Sequence, residues 1–156
     1  MMHAQADADE YLPIFVYGTL RPGQENYDRF VLGKTAREVA ALLPDHAMFV
    51  LDGYPCITED TGAGDVSGDT LILLPELFPA VLAALDRLEG YTPGDASSPY
   101  LRVRRRVRTG EGDRGEPPRT SLAWVYVAGE PALLRRPACD PVPGGDWLAY
   151  LAHEHS

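Results

Sequence analysis

The sequence predicts an α+β fold. Short runs rich in β-branched and aromatic residues recur along the chain, one segment repeats apolar residues at helical spacing, and 156 residues with 45 % hydrophobic content suffice for a single core. Glycine- and proline-bearing turns separate the runs, and no internal repeat stands out.

Ile14 to Tyr17 reads as a buried strand that stops abruptly at Gly18. Gly18 has no Cβ and so admits a ligand close to the main chain, and Thr19 and Leu20 follow with N–H groups in the kind of turn that binds anions. Arg21-Pro22-Gly23-Gln24 predicts a type II turn, with proline second and glycine third. Tyr27, Phe30 and Val31, and then Val39 to Leu43, predict short helical or irregular segments. Ala47 to Leu51 predicts a strand, which Asp52-Gly53-Tyr54-Pro55 breaks. After an acidic turn at Glu59 to Asp65, Val66 to Leu74 predicts another strand. The clearest helix follows: Pro75 suits its first turn, Leu77, Phe78, Val81, Leu82, Leu85 and Leu88 recur at helical spacing, and Gly90 is its stop. Thr92 to Pro99 predicts a loop. Leu101 to Val107 and Leu122 to Val127 predict strands, separated by a mobile surface insertion at Thr109 to Thr120, rich in glycine, proline and charge.

Several function classes are disfavoured. A net charge of −9 opposes nonspecific binding to nucleic acid or anionic membrane. Arg102, Arg104, Arg105, Arg106 and Arg108 form a basic strip, but alternation spreads them over both strand faces without interleaved aromatics, which fits solvated arginines paired with carboxylates. No apolar stretch approaches the roughly 20 residues of a membrane span, and the acidic start is not a signal region, so a cytoplasmic protein is expected. Cys56 and Cys139 are too few for a disulfide framework and are expected as free thiols, with Cys56 a small buried residue beside Pro55. Gly33-Lys34-Thr35 resembles the end of a phosphate-binding loop, but Asp28 stands where that loop needs glycine. His153-Glu154-His155 lies at the C-terminus with no third ligand in view, so no metal is expected. No Gly-x-Ser-x-Gly nucleophile elbow occurs.

Glu89 ends the predicted helix directly before Gly90. The negative end of the helix dipole and Asp86 one turn back both disfavour its ionised form, so a raised proton affinity is expected, as a general base requires. The string Phe15-Val16-Tyr17-Gly18-Thr19-Leu20-Arg21-Pro22-Gly23 resembles the opening motif of the gamma-glutamylcyclotransferase-like family. Leu85-Asp86-Arg87-Leu88-Glu89-Gly90, followed by Tyr100-Leu101-Arg102, is similar to the segment that carries that family's catalytic glutamate. Gly53-Tyr54-Pro55, the strand around Trp124-Val125-Tyr126, and Gly144-Gly145-Asp146-Trp147 resemble further landmarks in the same order.

The resemblance implies a compact mixed β-barrel flanked by a few helices. It places a single gamma-glutamylcyclotransferase-like domain at 13–150, between a flexible N-terminal segment at 1–12 and a C-terminal tail at 151–156. It also implies a cofactor-free enzyme in which the substrate's free alpha-amine attacks its own gamma-carbonyl. The ring closes to 5-oxoproline, while catalytic Glu89 takes a proton from the amine and returns it to the leaving nitrogen. Tyr17, Gly18, Thr19 and Leu20 would surround the glutamyl head, and Tyr100, ranked ahead of Tyr91, would add a hydroxyl beside Glu89. Trp124 and Tyr126 read as core or pocket wall. A noncatalytic member of the same fold that binds a small ligand remains the alternative, because fold does not fix activity.

Overall fold

The computed structural model describes residues 9–110 and 119–154. Five strands close into a mixed barrel in the order β1 (Ile14–Val16), β5 (Asp65–Leu73), β2 (Thr35–Pro44), β6 (Tyr100–Thr109) and β7 (Arg119–Ala128). All neighbours run antiparallel except β1 and β7, whose parallel pairing seals the barrel through Ile14↔Trp124 and Phe15↔Val125. β1 is buried along its whole length, which is why it reads as an unbroken apolar run rather than an alternating one. Four helices among the described residues complete the α+β barrel that the sequence and its resemblance predict: α1 (Glu25–Phe30), α2 (Phe78–Glu89), α3 (Glu130–Arg135) and α4 (Trp147–Glu154). None is long and apolar enough to cross a membrane.

A separate hairpin, β3 (His46–Leu51) with β4 (Tyr54–Glu59), lies outside the barrel. Its turn residues Asp52 and Gly53 both take positive φ, 53° and 86°, the two-residue arrangement whose twist matches paired strands. The expectation that Asp52 to Pro55 merely breaks a strand is thus corrected: the dipeptide reverses the chain into a second one. A second correction concerns Val39 to Leu43, which belong to β2 and are neither helical nor irregular. Alanine and leucine have little strand preference of their own, and the long register with β5, from Thr35↔Leu73 to Pro44↔Asp65, imposes it.

Helix α2 buries Phe78, Val81, Leu82 and Leu85 in a cluster with Ile14, Leu71, Trp124 and Tyr126. It begins at Phe78, so Pro75 and Leu77 precede it rather than opening it, and Gly90 ends it in the left-handed conformation (φ 72°). This seats the last helical residue, Glu89, over the barrel end from which β1 emerges. The insertion expected at Thr109 to Thr120 is shorter at both ends, because Thr109 pairs with Arg119 across β6 and β7, and its remainder at 111–118 lies outside the described residues.

Of the segment 1–12, residues 1–8 lie outside the described residues. Tyr11 donates a hydrogen bond to Leu73 O (2.5 Å), and the Trp124 indole donates one to Glu10 O (2.8 Å). At the other terminus α4 runs on to Glu154, and His155, the third residue of the C-terminal His-Glu-His string, lies outside the described residues.

Cys56 and Cys139 are free thiols. Cys56 is buried beside Pro55, and desolvation pushes its thiol up to about 12, which leaves it an inert packing residue. Of the β6 arginines, Arg104 pairs with Glu10, Arg105 with Glu59 and Arg108 with Asp65, as expected. Arg102 departs from that pattern, because its side chain is only 2 % exposed and it binds Asp86 of α2.

Candidate active site

A cavity of about 550 Å³ opens where the end of β1, the end of α2, the start of β6 and the tip of the β3–β4 hairpin converge. Tyr17, Gly18, Thr19 and Leu20 line it, together with Glu89 and Tyr100, so residues from three distant parts of the chain share one space. Tyr91 is not among the lining residues; it packs against the core and under the Arg102 guanidinium.

The loop after β1 is fixed from both sides. The Arg21 N–H donates to Gly18 O (3.0 Å) and the Gln24 N–H to Arg21 O (3.0 Å), and Gly23 has φ 88°, as the type II turn requires. Arg21 ties the loop to β5 through Asp69 (2.8 Å). Thr19 O accepts the N–H groups of Asn26 and Tyr27 (3.0 and 3.1 Å), and the Asn26 side-chain amide donates to Thr19 Oγ1 (2.7 Å), which clamps the loop to the start of α1. Among the described residues the Thr19 and Leu20 N–H groups meet no protein acceptor. They are two fixed donors free to receive an anion or a developing oxyanion.

Gly18 lines the cavity for a second reason beyond ligand approach. A Cβ there would lie 2.7 Å from Pro55 Cγ. Pro55 in turn accepts the Tyr100 hydroxyl on its carbonyl oxygen (3.0 Å). Gly18→Ala should therefore displace Pro55 and Tyr100 together, destabilising the fold by about 1–3 kcal/mol as an overpacked site does. Thermal melting and ligand titration check it; an unshifted melting temperature with unchanged affinity would show that Pro55 yields freely.

The tyrosines of the wall are engaged as donors. Tyr17 donates to Tyr126 O (2.6 Å), Tyr100 to Pro55 O, and Tyr126 to Asp86 Oδ1 (2.7 Å). Burial pushes all three hydroxyls well above the usual tyrosine range, so they stay protonated. The carboxyls of the wall differ more. Glu25 and Asp52 are exposed, and two hydrogen bonds from Arg135 (2.8 and 2.6 Å) hold Asp52 below the usual carboxylate range. Glu89 is only partly accessible, and desolvation pushes its carboxyl up to about 7. The rise expected from the sequence is present, but burial causes it. Asp86, expected to raise it by repulsion, is instead neutralised by Arg102 (2.9 Å).

Several lining residues lay outside the sequence expectation. Glu25, Asn26 and Arg29 come from α1, and Leu51, Asp52, Tyr54 and Pro55 from the hairpin. The Asp52-Gly53 pair was a usable hairpin signal. Nothing in the sequence marks Arg29.

The sequence model of the family described as gamma-glutamyl cyclotransferase, AIG2-like, matches residues 14–149. Among solved structures, the chain is similar to YkqA from Bacillus subtilis, with 19% identity and a TM-score of 0.58, covering 92% of this chain and 42% of that one. An AIG2-like protein from Mus musculus is 19% identical with a TM-score of 0.53, covering 87% of each chain. A gamma-glutamyl cyclotransferase specific to glutathione from yeast is 13% identical with a TM-score of 0.53, covering 92% of this chain and 85% of that one. At these identities the likeness shows a shared fold. No curated protein matches the sequence.

Proposed function

Because the chain belongs to the gamma-glutamyl cyclotransferase, AIG2-like family, we propose that it cyclises a gamma-glutamyl group to 5-oxoproline with release of an amine or amino acid. The observation that carries this reading is a desolvated carboxyl with a pKa near 7, Glu89, in one cavity with the unengaged N–H groups of Thr19 and Leu20. A base near 7 is ionised often enough to accept a proton and basic enough to take it from an amine.

On this reading the glutamyl head lies along Tyr17, Gly18, Thr19 and Leu20, and the N–H donors receive its alpha-carboxylate and the charge that develops on the gamma-carbonyl oxygen. The alpha-amine nitrogen bonds to the gamma-carbon, and Glu89 takes a proton from it as the tetrahedral centre forms. The bond from that carbon to the leaving nitrogen then breaks, and Glu89 returns the proton to the departing amine. No outside nucleophile is consumed. Holding the flexible chain of the substrate in a ring-forming conformer supplies the remaining acceleration by removing internal rotations. Tyr100, with its hydroxyl tied to Pro55, and Tyr126 shape the wall beside Glu89.

The net charge of −9 accords with a small-molecule substrate rather than nucleic acid. Purified protein incubated with gamma-glutamyl dipeptides and gamma-glutamyl amines should release 5-oxoproline, read by liquid chromatography, and keep doing so with a chelator present. Tight binding of these compounds without any release would replace the enzyme by a ligand-binding member of the same fold.

A further inference from the structure

We propose that the mouth of the cavity is a subsite for the departing group, and that Arg29 selects a departing group bearing a carboxylate, an amino acid rather than a plain amine. The inference rests on the cyclisation reading and adds to it what leaves. Taking the share of liquid volume held by a water molecule as about 30 Å³, a glutamyl head of nine non-hydrogen atoms fills roughly half of the 550 Å³ cavity at most. Exposed lining residues, which mark the mouth, include Glu25 and Arg29 of α1 and Asp52 and Tyr54 of the hairpin.

The charges there are unequal in availability. Asp52 already receives two hydrogen bonds from Arg135. The Arg29 guanidinium lies 5.4 Å from the centroid of the Phe30 ring, a cation–π contact. Glu25 stands one turn before it, in the order that favours helix ion pairs, yet among the described residues the Arg29 side chain makes no ion pair or hydrogen bond. It is also the cavity's one lining cation among the described residues. A planar guanidinium with unengaged donors matches a carboxylate bidentately. On the cyclisation reading the alpha-carboxylate of the head already has its own donors, the Thr19 and Leu20 N–H groups.

The test uses two compounds that differ by one carboxylate, gamma-glutamyl-alanine and gamma-glutamyl-ethylamide. The full-length protein should prefer the alanine compound by about tenfold in kcat/KM, the lower end for a charge-assisted pair because Arg29 is exposed. The preference should lie mainly in KM, and Arg29→Gln should bring the ratio close to one while Arg29→Lys keeps part of it. Equal kcat/KM values in the unsubstituted protein, or an equal loss for both compounds in Arg29→Gln, would overturn the subsite; the second result would assign Arg29 to the glutamyl head. Calorimetry in the Glu89→Gln background, with and without Arg29→Gln, reads the same preference as affinity. If no 5-oxoproline forms, an affinity preference lost with Arg29 keeps the subsite and discards cyclisation, and equal affinities discard the subsite.

Discussion

Glu89→Gln is expected to lower 5-oxoproline release by about 10² to 10⁴-fold, the usual contribution of a positioned acid–base group, while leaving the fold intact. Glutamine preserves the shape and the hydrogen-bonding capacity of the side chain but cannot accept a proton. The wall offers no substitute: the hydroxyls of Tyr17, Tyr100 and Tyr126 are engaged as donors and held protonated by burial, and Glu25 and Asp52 stand exposed at the mouth. Turnover within threefold of the unsubstituted enzyme would remove Glu89 from the mechanism.

The same residue gives two pH signatures of opposite sense. As a base Glu89 must be ionised, so kcat/KM should rise with pH through about 7 and then level. Stability should move the other way. A carboxyl at 4.5 in the unfolded chain and about 7 in the fold binds more protons when folded between those values, so stability falls as pH rises through that window. The difference reaches at most about 3 kcal/mol above pH 7 and vanishes below about 4.5. Glu89→Gln should therefore be the more stable protein at pH 8, with the difference gone at pH 4, as read by denaturant titration. An active-site group that lowers both stability at neutral pH and the barrier to reaction is a familiar exchange. A Glu89→Gln protein no more stable than its parent at pH 8 would mean that the carboxyl is solvated after all.

Where local signals were strong, the sequence was sufficient. Ile14 to Val16 needed no context, because a strand buried at every position is apolar at every position; Gly90 and the spacing of Phe78, Val81, Leu82 and Leu85 defined the only long helix among the described residues. The barrel itself was legible through family resemblance rather than periodicity, since closure depends on β1 meeting β7 across more than a hundred residues. Val39 to Leu43 misled because their strand character comes from β5. At the site, Glu89 and the loop after β1 are adjacent to backbone punctuation, a helix stop and a turn, that sequence displays. Arg29, Tyr54 and Asp52 reach the same cavity through tertiary placement alone, and no spacing rule connects them. The origin of the Glu89 shift shows the same limit: a helix end is visible in one dimension, and desolvation is not.

Arg102 is the other side chain whose burial could not be foreseen, and its removal is expected to be the most damaging to stability of the changes considered. Its guanidinium binds Asp86 by two parallel hydrogen bonds (2.9 and 3.1 Å), lies over the Trp124 ring at 4.4 Å, and is buried to 2 % exposure, against 14 % for Asp86. Tyr126 donates to the same carboxylate, so one ion pair joins α2, β6 and β7 three residues before Glu89 on the helix. Arg102→Leu keeps much of the apolar stem but leaves Asp86 buried and uncompensated, which costs about 3–5 kcal/mol. In a domain of this size that corresponds to a fall of roughly 10 °C in melting temperature. Activity should fall as well, through kcat, because the helix end that carries Glu89 loses its anchor and a displacement of about 1 Å at a reacting group is worth up to 100-fold. Asp86→Asn on top of Arg102→Leu removes the stranded charge and should recover at least half of the lost stability. Were the double variant no better than the single one, the packing of the guanidinium against Trp124, and not its pairing with Asp86, would be what holds this end of the barrel.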